Sequence, residues 1–170
     1  LTLRENQIAY AEPSFFRLFD FELLKGDKKT CLSMPGQVVI TERIASKYFK
    51  DEDPIGKIFI FTGAYDKISC EVTGVMKEMP SNSHIHYSFL ISYKSLPKYM
   101  QEYWYKHEAY TYVLLDSPER KAEIEREFPV MAEKYKTDEA LKNKTWGVSL
   151  IPLADIHPVS YTHLTLPTIR

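Results

Sequence analysis

A chain of 170 residues with 44% hydrophobic and 26% charged residues has ordinary globular composition. At this size roughly 70% of the unfolded surface is buried on folding, so neither disorder nor dependence on metal or disulfide staples is expected. The net charge is −1, with acids and bases interspersed, and no Lys/Arg stripe is present that would neutralise phosphate, which argues against nucleic acid as a partner.

The first element ends in Ile8-Ala9-Tyr10, a strand end, and Pro13 starts a short helix through Ser14–Phe19, since proline suits the first helical turn. After a loop at Gly26-Asp27, Val38-Val39-Ile40 reads as a β-branched strand. Thr41 can cap the following helix, on which Ile44, Ala45, Tyr48 and Phe49 share a face. Asp53-Pro54-Ile55-Gly56 has Asp, Pro and Gly where a type I turn prefers them. Strands follow at Lys57–Phe61 and Ser69–Val75, the second only loosely alternating, with Cys70, Val72 and Gly74 set against Glu71, Thr73 and Val75. Pro80-Ser81-Asn82 breaks the chain, Ile85–Ser92 is extended, and Leu96–Trp104 is a weak helix.

Tyr110–Leu115 reads as a further strand, and Ser117-Pro118 as the cap and first position of the longest helix. Ile124, Phe128, Met131 and Tyr135 form its apolar stripe, and Pro129 should kink or interrupt it. Trp146–Pro152 is the last expected strand. This alternation predicts an α+β (mixed α/β) fold with short helices on one side of a mixed sheet. No internal repeat or low-complexity segment occurs. No apolar run of about 18 residues is present to span a bilayer. Leu1–Ile8 is polar and mixed, unlike a signal peptide, and residue 1 is not Met. The sequence therefore reads as a segment of a longer polypeptide, with any membrane element outside it.

Catalytic signatures are sparse. Gly56-Lys57 is followed by Ile58 and lacks the spacing of a phosphate-cradling loop, and Gly-x-Ser-x-Gly does not occur. Neither Cys31 nor Cys70 has a Cys-x-x-Cys or papain-like context; two thiols permit one disulfide, or are simply small buried hydrophobes. The best candidate for chemistry is His84-Ile85-His86. On a strand both imidazoles would share a face, as in many two-histidine metal sites, with His107, His157 or Asp155 as a further ligand. The alternative is a pair of half-buried histidines with local hydrogen bonds. Phe15-Phe16 with Phe19 and Phe21 could form a ligand box or pack a core, and Glu119–Glu127 could be a docking surface or a solvated helix face. We expect no catalytic, cofactor-binding or metal-binding residues and no cofactor, so the chain is not expected to be an enzyme.

Several patterns together resemble the MacB-like periplasmic core domain of FtsX-type ABC transporter permeases. They run from Ala11-Glu12-Pro13-Ser14-Phe15-Phe16 through Phe19, Phe21 and Leu23–Asp27 to Val38–Glu42 and Lys47-Tyr48-Phe49. Asp51–Lys57 is the most specific piece; Val72-Thr73-Gly74-Val75, Pro80–His84 and Pro152–His157 complete the order. The resemblance covers about Ile8 to His157. It implies a two-lobed extracytoplasmic domain over 1–157, with one lobe at about 13–79 and the other at about 84–157. It further implies a permease paired with a second copy, driven by a separate cytoplasmic ABC ATPase, and meeting a periplasmic adaptor protein. The domain would lie on the periplasmic side of the inner membrane and couple ATP hydrolysis to conformational change, for export or mechanotransmission. A free-standing extracytoplasmic ligand-binding module is the alternative, and a metal-dependent enzyme through His84 and His86 stands third.

Residues 158–170 resemble nothing in that family and are expected to be a non-native or disordered tail. Val159, Leu164, Leu166 and Ile169 follow no period of two or 3.6, and Pro158 and Pro167 break any regular element. Ending the chain after His157 should therefore leave the thermal midpoint unchanged; a drop of several degrees would mean buried contacts worth more than about 1 kcal/mol.

Overall fold

A β-branched run followed at once by a capping threonine is an instruction to leave a strand and enter a helix without a loop, and the protein does so at Thr41. The computed structural model describes residues 5–62, 67–101, 109–136 and 142–156. The elements of the first part are β1 (Ile8–Ala11), α1 (Phe15–Leu18), β2 (Leu23–Lys25), β3 (Gln37–Thr41), α2 (Glu42–Phe49), β4 (Ile58–Thr62), β5 (Lys67–Met76), β6 (Phe89–Ser92) and α3 (Lys98–Gln101). Thr41, fully buried, ends β3 and accepts the Ile44 amide through its hydroxyl, capping α2. Ile44 then points into the core with Ala45, Tyr48 and Phe49 beside it, the face expected from the spacing.

The strands form one mixed sheet in the order β1-β6-β3-β5-β2, with β4 also on β5. β1 runs parallel to β6 and β3 parallel to β5; the β6–β3, β5–β2 and β5–β4 pairs are antiparallel. One face carries Val38, Ile40, Cys70, Val72, Val75, Phe89 and Ile91 with Ile44 of α2. Val39, Leu90 and Met76 point the other way and are equally buried. The sheet centre is thus covered on both faces, which is why its strands read as continuous apolar runs. A turn through Thr30–Ser33 is tied to the sheet by Ser92 Oγ donating to the Leu32 carbonyl (2.9 Å) and Thr73 Oγ1 to that of Cys31 (2.6 Å).

The loose alternation of β5 has a geometric cause. Val38 lies opposite Val72, but Val39 lies opposite Gly74, so Thr73 is an extra residue in the ladder. This bulge reverses the phase of the strand and brings Val75 to the same face as Cys70 and Val72. It also draws β2 close: a Cβ on Gly26, where φ is +97°, would stand 2.4 Å from the Thr73 carbonyl oxygen. At the front of the sheet Phe59 and Phe61 of β4 meet Phe89 edge-on at 5.5 and 5.4 Å, and Phe59 also meets Tyr48 and Phe49 of α2.

Several expectations need correction. The turn before β4 closes between Pro54 O and Lys57 N with Gly56 at φ +80°, the positive-φ position a type II turn requires, rather than as a type I turn over 53–56. Asp53 instead accepts the Ile55 amide through its carboxylate. The extended run from Ile85 becomes a strand only at Phe89. β2 was not foreseen; its three residues carry no alternation to detect. The chain divides into compact units at 102/103. β6 lies in the first of these units, between β1 and β3.

In the second unit α4 (Arg120–Tyr135) begins two residues later than Ser117-Pro118 suggested, with the Ser117 and Pro118 carbonyls accepting from Arg120 and Lys121. Its buried residue is Ala132; Ile124 and Phe128, eight and four positions before it, are half-buried, whereas Met131 and Tyr135 are exposed. Pro129 lies inside the helix, which continues through it. Among the described residues, Tyr110–Leu115 and Trp146–Pro152 form no strand; apolar composition does not make a strand without a ladder partner. The helix expected at Leu96–Trp104 is seen over Lys98–Gln101, and 102–104 lie outside the described residues.

Gly26→Ala should destabilise the protein by about 1–3 kcal/mol, because positive φ and a backbone clash act together. Gly56→Ala, where the nearest atom to an added Cβ is Glu71 Oε1 at 4.0 Å, should cost less. Urea midpoints of the two variants check the order; equal values would mean that the Thr73 contact is soft.

Candidate functional site

His84 and His86 do not sit on a strand. Ile85 between them is buried, His84 is half-buried near Phe19 with ring centroids 6.4 Å apart, and His86 is exposed. Desolvation, and secondarily the neighbouring His86, holds the His84 imidazole below its ordinary pKa, which favours the neutral ring. Among the described residues no three His, Cys, Asp or Glu side chains converge in a way that could hold a metal ion; His107 and His157 lie outside them.

Phe15, Phe19 and Phe21 form a ring cluster with centroid separations of 5.1–5.9 Å, and Phe16 meets Phe15 edge-on at 5.3 Å. Only Phe16 is fully buried. The cluster is therefore partly core and partly surface, between the two readings of the sequence. Beside it Pro13, Ser14, Phe16, Arg17, Lys28 and Lys29 line an open cleft of about 430 Å³. Cys31 and Cys70 are separate, buried free thiols, and burial pushes each up to about 11, so neither is a reactive thiolate at neutral pH. On α4 the charges of 119–127 pair locally, Arg120 with Glu123 at 2.6 Å and Lys121 with Glu125 at 3.9 Å, as a solvated helix face does.

The most organised polar site is one the sequence did not disclose: the place where the chain enters the sheet. The Gln7 carbonyl accepts from the amides of Ser88 (2.8 Å) and Phe89 (3.1 Å). Gln7 Oε1 accepts from Ser88 Oγ at 2.7 Å and from Arg43 Nη2 at 3.4 Å, and the same Arg43 nitrogen donates to Ser88 Oγ at 2.8 Å. Arg43 also pairs with Glu78 at 3.6 Å. Two residues upstream, Glu5 accepts from Lys47 Nζ at 2.5 Å and from Tyr48 Oη at 2.7 Å. The entering strand is thereby fastened to one face of α2, through Arg43, Lys47 and Tyr48, and to the start of β6. The partners lie 35 to 81 residues apart, so no local spacing could have revealed them. The hydrogen bonds from Lys47 and then Tyr48 hold the Glu5 carboxyl below its usual range against desolvation. Burial, reinforced by Glu5, pushes the Tyr48 phenol up to about 12, keeping its proton available as donor.

The first unit is thus a mixed sheet with short helices, entered by a strand that side chains of α2 and β6 anchor. The fold is similar to a domain assigned to a permease of Porphyromonas gingivalis, with a TM-score of 0.61 and 22% identity over 79% of this chain and 56% of that one. The model of the MacB-like periplasmic core domain matches residues 2–129, and the chain belongs to that family, which comprises permease domains rather than enzymes. The periplasmic region of MacB from Actinobacillus actinomycetemcomitans is a more distant likeness, with a TM-score of 0.45 and 16% identity over 72% of this chain and 53% of that one. The chain spans about half the length of these solved structures. No curated protein matches the sequence.

The entry site yields a pH dependence. Because the folded pKa of Glu5 lies below the ordinary 4.5, its ionised form contributes stability above about pH 4.5, and that contribution is lost as pH falls through the lower folded value. Glu5→Gln should cost about 1 kcal/mol or less at neutral pH, Lys47 being half exposed. Denaturant midpoints of the two proteins should converge as the pH is lowered below 4.5; a constant gap would remove the carboxylate from the account.

Proposed function

We propose that this domain works on the periplasmic side of the inner membrane as part of an ABC transporter permease. There it couples cytoplasmic ATP hydrolysis to conformational change outside the membrane, for export or mechanotransmission. The observation that carries the reading is the family match across residues 2–129. Among the described residues no helix is long and apolar enough to cross a membrane, so in this reading the membrane segments belong to other parts of the permease. Its partners would be a second permease copy, a separate cytoplasmic ABC ATPase and a periplasmic adaptor protein. The native domain would span 1–157.

The anchored entry strand supports this reading mechanically. Motion delivered to the chain ahead of Glu5 would reach α2 and β6 directly through Glu5, Gln7, Arg43 and Ser88. A domain that transmits motion needs stiff attachment points between bodies that move as units rather than a catalytic pocket.

The test uses the parent permease reconstituted with its ATPase in lipid. Loosening the entry with Glu5→Gln and Gln7→Ala together should leave ATP hydrolysis near wild type while lowering transport roughly 5-fold or more, the lower end of ordinary coupling energies. Transport unchanged after deletion of the whole domain would sink the proposal.

A further inference from the structure

We propose that β4 is an edge through which two copies of this chain join, antiparallel, about a two-fold axis passing through Ile60. Sheet edges in natural proteins are generally blunted by lysine, proline, a bulge or a covering element, because an open edge recruits another strand. Within Ile58–Thr62 β4 has none of the first three: it reads Ile-Phe-Ile-Phe-Thr and pairs regularly with β5, the bulge that sets Gly56 and Lys57 opposite Val72 lying just before it. Phe59 and Phe61 turn inward, whereas Ile58 and Ile60 are 56% and 60% exposed.

The hydrogen-bond parity of the strand decides which backbone groups are open. The Val72 amide donates to the Lys57 carbonyl at 2.8 Å, and Ile58 lies opposite Glu71. Ile58–Glu71 is therefore a non-hydrogen-bonded pair, and Phe59 and Phe61 spend their amides and carbonyls on β5. The amides and carbonyls of Ile58, Ile60 and Thr62 consequently point along the free edge. Those residues are spaced by two, so a second copy turned by 180° presents the same row. Ile60 then exchanges both bonds with its symmetry mate, and Ile58 does so with Thr62. The contact is self-complementary, as a two-fold interface must be.

Side chains select the same orientation. On the outer face the row through Ile58 meets Glu71 of β5 before Gln37 of β3, the central row meets Ser69, and the row through Thr62 meets Lys67, these three β5 residues all being exposed. Antiparallel joining puts Glu71 of one copy and Lys67 of the other on the two β5 strands that flank each outer row, and Ile60 against Ile60 at the centre. Parallel joining would align like charges with like. The paired charges would be three strand spacings apart, roughly 14 Å, so they bias orientation and encounter more than they add affinity. This inference rests on the sheet geometry and not on the transport reading; a strictly monomeric chain would overturn it and leave that reading standing.

The experiment uses the 170-residue chain in sedimentation equilibrium, with Ile60→Lys and Ile60→Glu, both at an exposed position. Wild type should dimerise, and each variant alone should weaken the dimer by about tenfold or more, since like charges would then face each other across the axis. An equimolar mixture should regain dimer, Lys now opposing Glu. In parallel, amide exchange of wild type should show Ile58, Ile60 and Thr62 gaining protection as concentration rises, while Phe59 and Phe61 stay protected throughout. A wild-type monomer, a dimer indifferent to either charge, or protection at the inward-facing pair alone would each overturn the proposal. If a variant fails to fold, the wild-type exchange pattern still decides the matter.

Discussion

β5 has to satisfy three neighbours at once, and the extra residue at Thr73 is what allows it. Its first half pairs with β4, its last two residues with β2, and its second half with β3 on the opposite side. Without a phase reversal, Val75 would fall on the face away from Cys70 and Val72, and one of the two faces would lose a buried side chain. The bulge avoids that, and Thr73 uses its displaced hydroxyl to bind the Cys31 and Val38 carbonyls at 2.6 and 3.3 Å. Gly26 and Gly74 leave the room the crowded ladder needs: a Cβ on Gly74 would meet Val39, Leu23 and Lys25 at 3.1–3.3 Å. Two glycines and one hydroxyl thus hold the junction on which the burial of both faces depends.

That junction also sets which edges remain. Because β5 spends one flank on β4 and β2 in succession, β4 is, among the described residues, an edge with the backbone groups of Ile58, Ile60 and Thr62 turned away from β5. At the other end of the order, β1 is added parallel to β6. Four residues of parallel ladder are a modest attachment, and the Glu5, Gln7, Arg43, Lys47, Tyr48 and Ser88 contacts supplement it. Pairs between exposed charges contribute little to stability. Ser88, almost fully buried, gains more from its two side-chain partners, since an unsatisfied buried hydroxyl would cost about 1–3 kcal/mol. The network's larger effect is geometric: it determines where a pull on the entering chain is felt.

Much of the local structure was legible in the sequence. The β3–α2 transition was readable from Val38–Thr41, and the face of α2 from Ile44, Ala45, Tyr48 and Phe49. The turn at 53–57 was located, although its type depended on the positive φ of Gly56. The two histidines were legible as residues but not as a site, because their meaning rested on a strand that begins only at Phe89. The stripe on α4 was half right: Ile124 and Phe128 are half-buried, but Ala132 and not Met131 is the buried residue, a distinction of one residue that amphipathic spacing does not resolve.

The division between what is local and what is not follows from the range of the forces. Caps, turns and amphipathic faces act over three or four residues, so Thr41, Pro54 and the apolar spacing of α2 carry their outcome in the sequence itself, and the ordered set of such pieces sufficed for the family resemblance. Strand order, the phase reversal at Thr73, the orphan edge of β4 and the anchorage of Glu5 and Gln7 join residues tens of positions apart. Each exists only once the sheet has closed, because the closure entropy of the intervening chain is repaid by the whole core and not by any one pair.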